Sequence, residues 1–137
     1  MTRLLRRTTF NMAVGNADAH AKNFSILHDT DNPAISLAPL YDVLSSIALE
    51  LTDSVGRPMQ ADTHLGQRVG GQADIRKVTG ASIVDEAVTW GIRRRPAGSV
   101  VAETLDRVLA AIPETPGDER VLAVIQLQAE QLRRNQR

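Results

Sequence analysis

Gly15-Asn16-Ala17-Asp18-Ala19-His20-Ala21-Lys22-Asn23 gathers an acid, an imidazole, an ammonium and two side-chain amides into one short stretch, and Pro39-Leu40-Tyr41-Asp42 belongs with it. Between the two lie two short apolar runs, Phe24 to Leu27 and Ile35 to Leu37, separated by Asp31-Asn32-Pro33. His28 to Pro33 supplies turn residues, so the runs read as a β-hairpin. An isolated two-stranded hairpin is marginal in water, so this one has to lie against a helical body.

The body is readable on both sides. Residues 2 to 14 form a short helix with Leu4, Leu5, Phe10 and Val14 at roughly helical spacing and Arg3, Arg6 and Arg7 on other faces; no capping residue marks its start. Gly15 and Asn16 end it, since both tolerate a left-handed backbone, and the polar cluster follows as a loop. Val43 to Leu51 reads as either helix or extended connection, Thr52 to Gln60 as a polar loop, and residues 65 to 71 as a glycine-dotted turn. Ser82 is expected to cap a helix running to Trp90, with Asp85 three residues on and Gly91 ending it. A second helix spans Gly98 to Ile112, with Val101, Leu105, Val108, Leu109 and Ile112 in one stripe. After a break from Pro113 to Gly117, Asp118 caps a last helix lined by Val121, Leu122, Ile125, Ala129 and Leu132, and Arg133 to Arg137 are expected to fray. The fold class is mainly α with one short hairpin beside the loop.

A chain of 137 residues suggests one domain spanning 1–137. One Trp, one Tyr and two Phe leave an aliphatic core. Sixteen basic and sixteen acidic residues cancel, which argues against a broad cationic nucleic-acid surface. The absence of cysteine excludes disulfides, thiolate nucleophiles and Cys-based zinc sites, and fits a reducing cytoplasm. No apolar run reaches the ~18 residues of a membrane span. The basic Met1 to Arg7 is followed by no apolar signal core.

Phosphoryl transfer needs a carboxylate to take the hydroxyl proton and oxygen ligands for a cation on the phosphates. Asp18 suits the first role, Asn23 and Asp42 the second, and Lys22 can bring positive charge to the transferring group. Each has a plainer reading. Asn16 and Asp18 are also turn formers, Asp42 can cap a helix starting near Val43, and Lys22 can be a solvated surface residue. Tyr41 reads as a packed aromatic with its hydroxyl at the rim. His20 reads as a structural histidine bonded to loop carbonyls or a carboxylate, since its spacing to His28 and His64 matches no compact zinc pattern. Ser25, Ser45 and Ser46 lack a nucleophile-elbow context. Gly66, Gly70 and Gly71 match neither nucleotide fingerprint. Arg93-Arg94-Arg95 reads as a solvated loop or helix terminus.

Gly15-Asn16-x-Asp18-x-His20-x-Lys22-Asn23-Phe24-Ser25 followed by Leu37-Ala38-Pro39-Leu40-Tyr41-Asp42 resembles the catalytic and metal-binding segments of HipA-family serine/threonine kinases, the toxins of type II toxin–antitoxin modules. Leu65-Gly66-x-x-Val69-Gly70-Gly71 and Trp90 resemble the region that follows, so the similarity covers residues 2 to about 110. The resemblance implies a helical kinase C-lobe-like bundle, with Asp18 as catalytic base, Lys22 near the phosphates, and Asn23 and Asp42 on magnesium, with Mg2+ and ATP as cofactors. It also implies a protein substrate and a helix-turn-helix antitoxin partner. Family kinases carry a nucleotide-covering lobe ahead of this motif, whereas Asp18 comes early here. The expectation is therefore a C-terminal kinase lobe that is inactive without an upstream-encoded N-terminal lobe. The alternative is an inactive binding module or gene remnant that engages the antitoxin.

Overall fold

The computed structural model describes residues 1–28, 31, 35–49, 51–52, 55, 57–59 and 61–135. Four α-helices carry the fold: α1 (Thr2–Ala13), α2 (Gly80–Thr89), α3 (Arg94–Ala111) and α4 (Glu119–Arg134). Three separate antiparallel pairs decorate them. β1 (Ile26–His28) pairs with β2 (Ile35–Leu37), β3 (Leu51–Thr52) with β4 (Pro58–Met59), and β5 (His64–Val69) with β6 (Gln72–Asp74). The mainly α class with a hairpin after the polar loop is what the sequence implies.

Helix α3 is central and packs against α1, α2 and α4. Ala97, Val101 and Leu105 recur every four residues and are fully buried, giving α3 one apolar stripe. Leu5 and Met12 of α1, Ile83 and Ala87 of α2, and Ala129 and Leu132 of α4 meet it in one aliphatic core. Ile75 and Val78, at a one-turn 3-10 helix after β6, complete it.

Several element boundaries differ from expectation. α3 begins at Arg94 rather than Gly98, because Pro96 falls in the first turn, where its missing N–H costs no intrahelical bond. The arginine triplet is thus a helix N-terminus, with Arg94 paired to Asp85 of α2. Thr79, not Ser82, caps α2. The Thr79 side chain accepts from the Ser82 backbone N–H at 3.0 Å, and Ser82 Oγ accepts from the Thr79 N–H at 3.3 Å. Ser82 is therefore the third-position member of a capping box. Gly91 ends α2 as expected, with φ +82°. Asp118 caps α4 by accepting from the Arg120 N–H at 2.8 Å. Arg133 does not fray: it holds Asp106 of α3 at 2.7 Å.

The stretch 65–71 is more than a turn. It forms most of β5, with Gly70 and Gly71 at φ +56° and +80° making the tight reversal into β6. Alternation is weak in β5 because one irregularity breaks its register with β6. Of residues 43–51, Ser46–Ala48 form a 3-10 turn and Leu51 begins β3, while residue 50 lies outside the described set. The expected loop over 52–60 includes the β3–β4 pairing of Thr52 with Pro58, and its residues 53, 54, 56 and 60 lie outside the described set. The turn expected within 28–33 likewise falls mostly outside it, at 29, 30, 32 and 33. Among the described residues, no helix is long and apolar enough to cross a membrane.

Candidate active site

The polar loop is clamped between two elements that its own sequence does not announce. Gly15, at φ +75°, ends α1, and its carbonyl accepts from Ser46 Oγ at 3.1 Å and the Ile47 N–H at 3.3 Å. The Ala17 N–H donates to Ser46 Oγ at 2.9 Å, and the Ala17 carbonyl accepts from the Gly66 N–H of β5 at 2.9 Å. Gly15 needs its missing side chain twice over, since a β-carbon there would overlap Ile47. Asn16 is not left-handed; among non-glycine described residues, positive φ occurs at Asp42 alone.

His20 packs on β5, where a β-carbon on Gly66 would lie 3.0 Å from His20 Cβ. Among the described residues, the hydrogen bonds expected of its ring are not made: Nδ1 is buried and has no partner there, and Nε2 stands 3.9 Å from Asp18 Oδ1, beyond hydrogen-bond reach. No three His, Cys, Asp or Glu side chains converge among the described residues, so His20, His28 and His64 form no metal cage.

The four candidate residues sit on two segments tied side by side. Asp18 presents a carboxylate that is 73% exposed. Ala21–Asn23 forms a 3-10 turn that turns Asn23 inward, and the Asn23 Nδ2 donates to the Asp18 carbonyl at 3.3 Å. With its nitrogen committed to the backbone, the amide offers Oδ1 as its remaining polar atom. Lys22 is exposed, and its carbonyl accepts from the Tyr41 hydroxyl at 2.7 Å; that hydroxyl also meets Ser25 Oγ at 2.9 Å. Tyr41 is thus a staple from the second segment to the first, partly exposed rather than packed in the core.

Asp42 follows at φ +55°, a conformation that is uncommon for a residue with a β-carbon. The reading of Asp42 as a helix cap fails, since the next helical element is the 3-10 turn at Ser46, whose N-cap position is Ser45. Its carboxylate is free of capping duty and exposed. Asn16 reaches it from below: Nδ2 donates to Asn11 Oδ1 at 3.1 Å and to the Asp42 carbonyl at 3.4 Å. Asp42 and Asn23 therefore offer hard oxygen donors on adjoining segments. Such a pair suits a divalent cation that keeps water and takes its other ligands from phosphate.

The loop also has an apolar side. A cavity of about 300 Å³ lies against it, lined by Leu4, Met12, Phe24, Ile26, Val69 and Trp90 among others. Ala19 and Ala21 border it, whereas Asp18, Lys22, Asn23 and Asp42 do not. The alanines alternating with polar residues are the sequence signal for this two-sidedness. Ser46 and Gly66 carry no comparable signal, because they act through bonds to a distant backbone, two from Ser46 Oγ and one from the Gly66 N–H.

Residues 1–112 match the HipA-like C-terminal domain family. A 46-residue stretch, 34% of the chain, is 59% identical to 10% of a protein named "Putative kinase Y4mE" from Sinorhizobium fredii. Among solved structures, 98% of the chain superimposes on 30% of a chain from the complex of the Shewanella oneidensis MR-1 toxin–antitoxin system HipA, HipB and its operator DNA, with TM-score 0.69 and 22% identity. That likeness concerns the fold. The chain spans a minor part of both relatives, and the family match takes in α1, the polar loop, the β-hairpins, α2 and α3. The chain belongs to the HipA-like C-terminal domain family.

Proposed function

We propose that the chain is the catalytic-loop part of a serine/threonine protein kinase using Mg-ATP, active once a second lobe covers the nucleotide. The observation that supports this most is the tie between the two polar segments: Tyr41 to the Lys22 carbonyl, and Asn16 to the Asp42 carbonyl. It joins the segment that carries Asp18 and Asn23 to the one that carries Asp42, which supports a reading in which a base, an amide oxygen and a carboxylate act together in phosphoryl transfer.

In this reading the substrate hydroxyl oxygen attacks the γ-phosphorus, the bond to the β,γ-bridging oxygen breaks, ADP leaves, and Asp18 takes the hydroxyl proton. Lys22 adds positive charge beside the transferring group. Asn23 Oδ1 and the Asp42 carboxylate would hold Mg2+, which would supply charge neutralisation at the phosphates. The high exposure of Asp18 fits a site that becomes dry only when another lobe closes over it. Exposed Ile26, Leu27 and Ile35 on the hairpin fit the same need for a covering polypeptide. A helix-turn-helix antitoxin is the proposed partner, by analogy with the solved complex of HipA and HipB.

The test mixes the chain with magnesium and ATP, with and without the polypeptide encoded immediately upstream. Transfer to a protein serine or threonine by the pair, lost in Asp18→Asn at unchanged fold, is the expected result. Failure of the pair to bind ATP or transfer phosphate overturns the kinase reading. Size-exclusion with a neighbouring helix-turn-helix protein at micromolar concentration tests the partner.

A further inference from the structure

Asn16 is 1% exposed, and its amide is arranged in an unusual way. The nitrogen serves two acceptors, Asn11 Oδ1 and the Asp42 carbonyl, while Oδ1 is buried with no partner among the described residues. The Asp42 carbonyl can only accept, so it fixes the amide orientation: flipped, the amide would face it oxygen to oxygen. The Asn16 backbone N–H also bonds the Asn11 carbonyl at 2.9 Å, so both ends of the residue are anchored on α1. A side chain kept only to fill this space would be better apolar, since a buried unpaired oxygen is costly. What the polar side chain accomplishes is to reach across to Asp42, the one non-glycine residue in the described set held at positive φ.

We infer that Asn16 is a positioning residue: anchored to α1 through Asn11, it holds the Asp42 backbone in its left-handed conformation and so aims the Asp42 carboxylate at the divalent cation. The inference rests on the proposed kinase reading for the role of Asp42. Groups that orient a metal ligand without touching the metal commonly change metal affinity by ~10-fold or more. Asn16 is not a ligand and does not touch substrate. Tyr41 fixes the other side of the same turn through the Lys22 carbonyl, so Asp42 lies between one tie to α1 and one to the loop.

Mn2+ serves as a paramagnetic probe on the whole chain, with affinity read from selective broadening of backbone amide signals in nuclear magnetic resonance spectra. Four proteins are compared: wild type, Asn16→Ser, Asp42→Asn and the double variant. Asn16→Ser removes the reach without adding charge. It is expected to weaken Mn2+ binding about tenfold, and to add nothing in the Asp42→Asn background. In the metal-free protein it should also shift the Val43 amide signal, which belongs to the peptide that Asn16 holds. Wild-type affinity in Asn16→Ser beside a weakened Asp42→Asn overturns the brace while sparing the metal site. Wild-type affinity in Asp42→Asn overturns the metal reading and this inference with it. If Asn16→Ser does not fold, Asn11→Ser removes the anchor and should cause a smaller loss in the same direction; unchanged affinity there overturns the inference.

Discussion

The helical body and the loop-and-hairpin region are held by different forces. In the body, α3 buries Ala97, Val101 and Leu105 against three other helices, and the side-chain bonds between these helices, Arg6 to Glu103, Arg94 to Asp85 and Arg133 to Asp106, lie at the exposed rim of that core. In the loop region, few large side chains are buried, and position is set by single polar contacts to backbone: Ser46 to Gly15 and Ala17, Gly66 to Ala17, Tyr41 to Lys22, Asn23 to Asp18. Burial energy is spread over many atoms and is insensitive to small angular error. A hydrogen bond is directional and worth little net, so it orients a group without dominating stability. Stability and site geometry are therefore expected to be separable by mutation.

The strongest attack on that separation is in the body. Leu105→Ala, at a fully buried α3 position, should cost about 2–5 kcal/mol in chemical denaturation. The matched change in the hairpin, Ile26→Ala, is at a side chain 57% exposed and should fall within about 0.5 kcal/mol. Equal losses at the two positions would erase the contrast. Next in size is a pair of adjacent glycines at the β5–β6 reversal. Gly71→Ala meets open space and should cost roughly 1–2 kcal/mol, from the left-handed backbone alone. Gly70→Ala carries the same kind of penalty and also drives a β-carbon into the Ser82 backbone of α2, so its loss in urea should be clearly the greater.

The two regions were also unequally legible in the sequence. The helices showed through periodicity, and Gly91 and Asp118 through the backbone demands of their caps. What periodicity cannot show is a residue acting by one or two bonds to a distant part of the chain. Ser46, Gly66 and Asn16 are ordinary polar or small residues until the chain folds and brings them to Gly15, Ala17 and Asp42. Asp18, Lys22, Asn23 and Asp42 were singled out by their residue types and their order, and the structure places them on two tied segments. The capping of α2 was misplaced by three residues because both members of its box are hydroxyl residues, and sequence alone does not say which one lies outside the helix.

A smaller effect should separate order from stability. Tyr41→Phe keeps the ring and removes the hydroxyl that bonds the Lys22 carbonyl and Ser25. Its stability cost should be no more than about 1 kcal/mol. Amide hydrogen exchange should nevertheless speed up at Asn23 and Phe24, whose N–H groups bond His20 and Ala21 within the turn, and stay unchanged in α3. Faster exchange in α3 as well would mean that the loop and the body unfold as one unit.

The smallest effect belongs to the body's surface and depends on pH. The Arg76 guanidinium, bonded to both Asp74 oxygens at 2.7 and 3.1 Å, holds the Asp74 carboxyl well below the usual carboxylate range. A carboxyl depressed in the folded state binds fewer protons than in the unfolded chain, so its contribution is complete above the unfolded value of about 3.9 and fades as pH falls through the folded value. Asp74→Asn should therefore be slightly less stable than wild type at pH 7, and the two denaturation curves should converge in acid, below about pH 4. The pair is at the surface, so added salt should narrow the gap at pH 7. The change should leave Mn2+ binding untouched, because Asp74 leads into the 3-10 turn that buries Ile75 and makes no bond to the polar loop. A gap that instead widens in acid would show that the stabilising proton uptake lies at another group.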